Sequence, residues 1–220
     1  MKKIIGIITL IGLGALTAGA ETIFSTDFSL ATQTGGVGTA ISMGGYTTNG
    51  VTVSTLTSGP GVISFQYDTT SSNAPSDGNG VWRCAVEGVG TNPSSNLTEA
   101  VANNEYFQFT VSSTNKLNFD SFSFNMAKFG FALFGGVTLR SSVDNYASDL
   151  VTVTSTLGSA KYAASADLSA IAAFDNLTNV TFRFYLYDQY TGNNNRRLGV
   201  DDIVIQASSA RGTLGLFIVQ

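Results

Sequence analysis

The feature that most restricts the fold is a strict alternation of apolar and polar side chains near the end of the chain. From Val180 to Tyr187 the even positions are apolar, and the odd positions are threonine, arginine or tyrosine. A period of two is typical of a strand with one buried face and one wetter face. The run Arg197–Ile205 follows after a polar loop, and we predict that it forms the closing strand of the same domain.

The same alternation recurs along most of the chain, and it predicts an all-β, jelly-roll-like antiparallel β-sandwich of roughly nine to eleven strands. In a jelly roll the first and last strands can lie side by side. The spacing of Phe119, Phe122 and Phe124 breaks the period once, which indicates a β-bulge or a bend. Ser165 to Phe174 gives a short helical pattern, and Gly88 to Asn104 is predicted to be a long loop. The other predicted strands are Glu21–Leu30, Val51–Ser54, Val62–Tyr67, Gly80–Val86, Glu105–Val111, Leu117–Met126, Gly136–Ser142 and Leu150–Val153.

The first 20 residues have the pattern of a secretory signal peptide. Lys2 and Lys3 precede an apolar run, and Ala18-Gly19-Ala20 matches a cleavage site before Glu21. We therefore predict a signal peptide at 1–20, one β-sandwich domain at 21–207 and a short tail at 208–220. The expected location is outside the cell or in the cell envelope.

Composition excludes several chemistries. The chain has no histidine, which removes Ser-His-Asp triads, Cys-His pairs and histidine-based zinc sites. The single cysteine, Cys84, cannot form an intramolecular disulfide, and its strand-like surroundings predict a buried, inert thiol. The 11 basic residues are outnumbered by 15 acidic ones and form no cluster, so nucleic acid is not an expected partner.

Three aspartates are candidate ligands for Ca²⁺, which prefers six to eight oxygen atoms. Asp27 lies near the end of the first predicted strand, and Asp201 and Asp202 lie in the last one. Pairing of the first and last strands would bring them together. Successive side chains on a strand point to opposite faces, so at most one of Asp201 and Asp202 is expected to bind directly. The alternative is that Asp202 caps a turn or pairs with Arg196 or Arg197.

Tyrosines near the closing strands are candidate platforms for sugar rings. Tyr185, Tyr187 and Tyr190, together with Arg183, would present aromatic faces of the kind that stack on pyranose rings. The alternative is that a loop covers them. Glycan hydrolysis would instead need a pair of carboxyls in opposed environments, but the Glu-x-Asp-x-x-Glu spacing of jelly-roll glucanases is absent.

Three segments resemble the secreted bacterial β-sandwich proteins that carry PEP-CTERM sorting signals. They are Leu139–Leu150, Phe182–Tyr185 and Arg197–Gln206, followed by an apolar tail that begins at Ala210. The resemblance implies an exported or envelope protein associated with extracellular polysaccharide. We predict a non-catalytic protein of this kind; the alternative is a carboxylate-dependent, glycan-active enzyme, either a glycoside hydrolase or lyase-like.

Overall fold

The fold is organised around one strand of 24 residues, Tyr106–Phe129, which serves both layers of a sandwich. The computed structural model describes residues 19–33, 40–62, 64–68, 81–85, 94–129, 135–155, 161–188 and 197–210. Within these ranges there are fourteen strands and one α-helix: β1 Glu21–Thr26, β2 Thr32–Gln33, β3 Ile41–Ser42, β4 Tyr46–Thr47, β5 Val51–Val53, β6 Thr57–Ser58, β7 Ser64–Asp68, β8 Val81–Ala85, α1 Leu97–Ala102, β9 Tyr106–Phe129, β10 Gly135–Ser141, β11 Val151–Thr154, β12 Lys161–Asp167, β13 Leu177–Asp188 and β14 Arg197–Ser209.

The strands form two antiparallel layers that share β9. In the first layer the order is β11-β10-β13-β9, and β5 and β6 pair with the other edge of the first half of β9. In the second layer β12 pairs with the second half of β9, and the order continues through β14 and β1 to β4. A straight strand rises about 3.3 Å per residue, yet the rings of Phe109 and Phe122 lie 6.3 Å apart. The strand therefore bends sharply between them.

Phenylalanine rings from the two layers meet to form the core. Phe182 of the first layer contacts Phe122 of the second, with ring centroids 4.7 Å apart. Phe184 contacts Phe124 at 5.0 Å, and Phe24 contacts Phe109 at 6.0 Å. These side chains are completely or almost completely buried. The all-β sandwich expected from the alternation is confirmed, and the alternating phenylalanines are the residues that join its layers.

The expected pairing of the first and last strands is also present. β1 runs antiparallel to β14, with Thr26 opposite Ile203. The predicted bulge lies at Asp120, because Gln206 and Ala207 of β14 are opposite Ser121 and Phe119 of β9. Asp120 is therefore an extra residue of β9 that has no register partner in β14. This extra residue brings Phe119 and Phe122 to the same buried face.

Two local predictions were wrong. The segment Ser165–Phe174, which has the helical pattern, forms the end of β12 and a single 3₁₀ turn, Ala172–Phe174. The α-helix lies instead in the predicted long loop, where Asn96 caps it by accepting a hydrogen bond from the backbone of Glu99. The carboxylate of Glu99 in turn accepts a hydrogen bond from the backbone of Ser95 at 2.7 Å. An asparagine followed three residues later by glutamate is a helix-start signal.

Several predictions fall on residues outside the described ranges. These are most of the signal peptide, the tail beyond Ala210, Tyr190 and Arg196, and the side chain of Cys84. β14 continues to Ser209, two residues past the boundary expected at 207. In the portion of the chain that is described, no helix is long and apolar enough to cross a membrane.

Candidate functional site

A row of side chains crosses the outer face of the second layer from one edge to the other. Each member is the register partner of the next on five neighbouring strands: Tyr46 of β4, Ser25 of β1, Val204 of β14, Ser123 of β9 and Ser165 of β12. All five are at least partly exposed, whereas their neighbours Phe24 and Phe122 point into the core. Adjacent strands are about 4.8 Å apart, so the row spans about 19 Å.

Two depressions lie along this row, and we call them together the transverse groove. The larger, of about 510 Å³, is lined by Ser25, Thr26, Asp27, Leu30, Gly45, Tyr46 and residues 202–204. The smaller, of about 300 Å³, is lined by residues 123–125, residues 163–165 and Asp202. Asp202 belongs to both depressions and marks their junction. Tyr46, at one end of the row, is 54% exposed, so about half of its surface is accessible to a ligand.

A β-bulge places the junction residue. Asp201 is opposite Asn125 and Val204 is opposite Ser123, so β14 carries one extra residue between these pairs. Asp202 has a φ of +49°, in the left-handed region that non-glycine residues rarely adopt. Although the bulge interrupts the regular alternation, Asp201 is completely buried and Asp202 lines the groove, so Asp202 is the one of the two that lies beside Asp27.

Both carboxylates contact the same ammonium group, that of Lys161. Its Nζ lies 2.6 Å from Oδ2 of Asp201 and 3.3 Å from Oδ2 of Asp202. Asn125 donates a second hydrogen bond to Oδ2 of Asp202 at 2.7 Å. Asp201 is completely buried, and that burial raises its pKa to about 6, although the bond from Lys161 acts in the opposite direction. The described partners of the Asp202 carboxylate are therefore Lys161 and Asn125, while Arg196 and the side chain of Arg197 lie outside the described residues.

The juxtaposition expected for a calcium site is present in part. Asp27 and Asp202 line the same depression, as the pairing of the first and last strands implied. Asp201 does not face it, because its carboxylate is buried against Lys161. Oδ1 of Asp27 accepts hydrogen bonds from the backbone and the hydroxyl of Ser29. Among the described residues, no group of three or more histidine, cysteine or acidic side chains is arranged to hold a metal ion.

We expect calcium to leave the melting temperature of the protein unchanged. The carboxylates that line the larger depression are those of Asp27 and Asp202, whereas calcium prefers six to eight oxygen ligands, and the described residues form no metal-binding cluster there. Differential scanning calorimetry in millimolar calcium and in chelator measures the effect. A melting temperature that rises with calcium, and no longer does so in an Asp27→Asn variant, would contradict this expectation and support a metal site at these residues.

Two of the three tyrosines proposed from the sequence, Tyr185 and Tyr187, lie on the outer face of the other layer, where they are largely covered. Tyr185 is only 3% exposed and makes an edge contact with Tyr106 at 5.4 Å. Tyr187 is half-buried, and its ring packs so closely on Gly136 that an added Cβ there would approach its Cζ to 2.2 Å. The ring of Tyr185 is therefore covered, as the alternative to a sugar platform proposed. Tyr187 is not an open platform either.

Arginine side chains also occupy this second outer face. The guanidinium of Arg183 lies 3.7 Å from the ring centroid of Tyr146 and 4.1 Å from that of Tyr106. Its Nε donates to Gln108, and Arg140 forms an ion pair with Asp149 at 2.6 Å. These contacts between cations and rings hold the face together. We infer that this second outer face has a structural role.

Sequence reasoning missed Tyr46, Ser123, Asn125 and Ser165. Tyr46 lies in a glycine-rich stretch without a strand pattern, Ser123 and Asn125 are ordinary outward positions of the predicted strand Leu117–Met126, and Ser165 was expected to begin a helical segment. Their common property is register across five strands. No local sequence pattern encodes that property, because it depends on pairings between residues far apart in the chain.

No protein-family model and no curated protein matches the chain. Among solved structures, it is similar to the K3 adhesin domain of Lys-gingipain from Porphyromonas gingivalis, with 11% identity, 84% of this chain and 99% of that chain covered, and a TM-score of 0.46. It is also similar to a Stig cyclase from Fischerella, with 9% identity, coverage of 87% and 100%, and a TM-score of 0.43. A third is the family 11 carbohydrate-binding module from Clostridium thermocellum, with 12% identity, coverage of 90% and 92%, and a TM-score of 0.32.

The three proteins have different names and activities, and their TM-scores are all below 0.5, so these similarities assign no function to this chain. The function of this chain has to be argued from its own groove.

Proposed function

We propose that this chain is a secreted or envelope-associated, non-catalytic β-sandwich protein that binds extracellular polysaccharide along its transverse groove. The observation that carries the proposal is the row from Tyr46 to Ser165, which places an exposed aromatic ring and a line of hydroxyl groups on one open face. A pyranose ring would stack on Tyr46 through its apolar face. The pattern of residues 1–20 supports export.

The chemistry of the groove favours hydrogen bonding to sugar hydroxyls. Ser25, Ser123 and Ser165 contribute hydroxyl groups, which both donate and accept, and Asn125 and Asp202 meet at the junction of the two depressions. Asp27 and Asp202 give the groove negative character, while the nearby ammonium of Lys161 is paired with Asp201 and Asp202. We therefore expect neutral polysaccharides to bind better than polymers of uronic acids.

The geometry argues against hydrolysis. A glycosidase needs one carboxyl that delivers a proton to the leaving oxygen and a second that acts on the opposite side of the sugar. The carboxyl near the groove whose pKa is raised is that of Asp201, and it is completely buried. It cannot reach a glycosidic oxygen from that position, so the groove is suited to binding without turnover.

Replacing Tyr46 with Ala is expected to weaken binding to a neutral polysaccharide by at least tenfold. Loss of a stacked ring removes the main apolar contact, and a decrease in affinity of tenfold or more corresponds to about 1.4 kcal/mol. Isothermal titration and affinity electrophoresis against neutral glucans, xylans and galactans, with a uronate polymer beside them, measure the affinity. The matched control is Ile171→Ala, which removes another exposed apolar side chain away from the groove.

Three results would count against the proposal. Unchanged binding by the Tyr46→Ala protein would show that the groove is not the binding surface. A failure of every polysaccharide to bind the parent protein would remove the proposed function. Release of reducing ends, abolished by a single Asp or Glu substitution, would replace it with a glycan-active enzyme.

A further inference from the structure

The bulge at Asp202 has a geometric consequence that does not depend on glycan binding. It directs the carboxylates of two consecutive residues, Asp201 and Asp202, to the same Nζ of Lys161. A regular strand would send them to opposite faces. The bulge keeps a non-glycine residue at a φ of +49°, a conformation that is disfavoured for residues with a side chain. Backbone strain of this kind persists where the surrounding structure enforces it, often at functional sites.

The three side chains are held by adjacent strands rather than by loops. Lys161 begins β12, which pairs with β9, and Asp201 lies in β14 on the other side of β9. Asp201 has no exposed surface, and its Oδ1 accepts a hydrogen bond from the backbone of Asp202 at 2.8 Å. The Lys161 side chain is 18% exposed. Its Nζ is thus held against the buried carboxyl group of Asp201.

Such an arrangement favours a condensation between the two groups. Groups held in the right orientation at contact distance react with effective concentrations of about 10⁵–10⁸ M. Burial raises the pKa of Asp201, which favours the uncharged acid that the reaction requires. Removing a positive and a negative charge from a buried position also relieves the cost of desolvating them.

We propose that Lys161 and Asp201 form an intramolecular amide bond, with Asp202 as the proton carrier. A proton first passes from the ammonium to the carboxylate of Asp201, which leaves a neutral amine and a neutral acid. Nζ then attacks Cγ of Asp201, and the new N–C bond forms. Asp202 takes the proton that the nitrogen loses and delivers it to the departing hydroxyl group. One C–O bond breaks, one water molecule leaves, and nothing is oxidised or reduced.

The bond would join an edge strand to the last strand of the fold. In the described part of the chain, β12 is hydrogen-bonded as a strand only to β9, so its attachment depends on one row of backbone hydrogen bonds. A covalent link from residue 161 to residue 201 closes the chain between them. It would limit the freedom of the unfolded state in the way that a disulfide does, without a second cysteine.

The test is the intact mass of the purified full chain under denaturing conditions, compared with the mass calculated for its own N-terminus. We expect a mass lower by one water molecule, and a branched peptide that contains both Lys161 and Asp201 after proteolysis. The Lys161→Arg protein keeps a cation beside the carboxylates but has no nucleophilic amine, so its mass should be the full calculated value. Asp202→Asn keeps both reacting groups and should also show the full mass, or cross-link slowly.

Lys116→Arg, a substitution at an exposed lysine, is the control and should behave like the parent. A parent protein that unfolds cooperatively and has its full calculated mass would overturn the proposal. Loss of one ammonia molecule, which would place the link at Asn125, would overturn it too. A water-sized loss that persists in Lys161→Arg would have another origin and would refute the assignment. None of these results bears on the Tyr46 experiment.

Discussion

Replacing Phe182 with Ala is expected to lower the free energy of unfolding by about 3–5 kcal/mol. The side chain is completely buried and lies where the two layers meet. Its ring contacts Phe122 at 4.7 Å, Phe109 at 6.0 Å and Phe119 at 6.2 Å between centroids. Loss of the ring would leave a cavity shared by both layers, and rigid neighbouring strands cannot close it.

Urea denaturation followed by tyrosine fluorescence or circular dichroism measures this change. The control is Leu30→Ala, because Leu30 is 71% exposed and its truncation should change stability by about 0.5 kcal/mol or less. If the Phe182→Ala protein were as stable as the parent, the ring could not be at the centre of the core. A far-ultraviolet spectrum dominated by helix would contradict the sandwich itself.

The core could be predicted because it depends on local alternation. Phe107 and Phe109 alternate with polar residues in the first half of β9, and Phe182 and Phe184 do the same in β13. In each strand one face is apolar, and a shift of the strand by one residue would turn that face toward solvent. Burial of the apolar face therefore restricts the register in which the strand can pair. The break at Phe119 and Phe122 was interpretable for the same reason, since a bulge is the usual way to bring the next apolar side chain back to the buried face.

The continuity of β9 could not be predicted in this way. Its middle, Thr114 to Lys116, is polar and exposed and has the composition of a turn. The backbone nevertheless continues as a strand, because β13 and β14 pair with it on either side of the bend. Pairing partners that are distant in sequence decided the outcome.

The candidate site was partly accessible from the sequence. Pairing of the first and last strands correctly placed Asp27 near Asp202. The contact of Lys161 with Asp201 and Asp202 was not foreseen, because it depends on a single extra residue in β14 and on the register of β12 across β9. The tyrosines of β13 were identified as outward-facing, but neighbouring rings and arginines cover that face.

Replacing Glu105 with Gln is expected to stabilise the protein at neutral pH and to flatten the dependence of its stability on pH. Glu105 is completely buried, and its Oε1 has no hydrogen-bond partner among the described residues. Its Oε2 accepts one bond of 3.2 Å from the backbone of Ser94. Burial raises the pKa of Glu105 above its ordinary value of 4.5, and the hydrogen bonds from Ser94 offset only part of that effect.

The sign follows from proton uptake. Above pH 4.5 the unfolded chain has released this proton while the folded chain still holds it, so stability falls as pH rises toward the higher pKa of the folded state. Above that pKa the full cost of a buried, incompletely bonded carboxylate remains, which is on the order of 1–3 kcal/mol or more. Gln keeps the shape and an oxygen for Ser94 but carries no charge, so its benefit should appear only at the higher pH values.

Glu99→Gln is a control, because the effect of Glu99 on the pH dependence of stability should have the opposite sign to that of Glu105. Glu99 is exposed, and hydrogen bonds from the backbone and hydroxyl of Ser95 lower its pKa. The contribution of ionised Glu99 to the stability of the fold is therefore fully present above its ordinary pKa of 4.5. This contribution is lost as pH falls through the lower pKa that Glu99 has in the folded state. Urea denaturation of the three proteins between pH 4 and pH 8 compares the slopes. A Glu105→Gln protein with the slope of the parent would mean that Glu105 is ionised in the fold without penalty, which requires a cation or water that compensates it inside the sandwich.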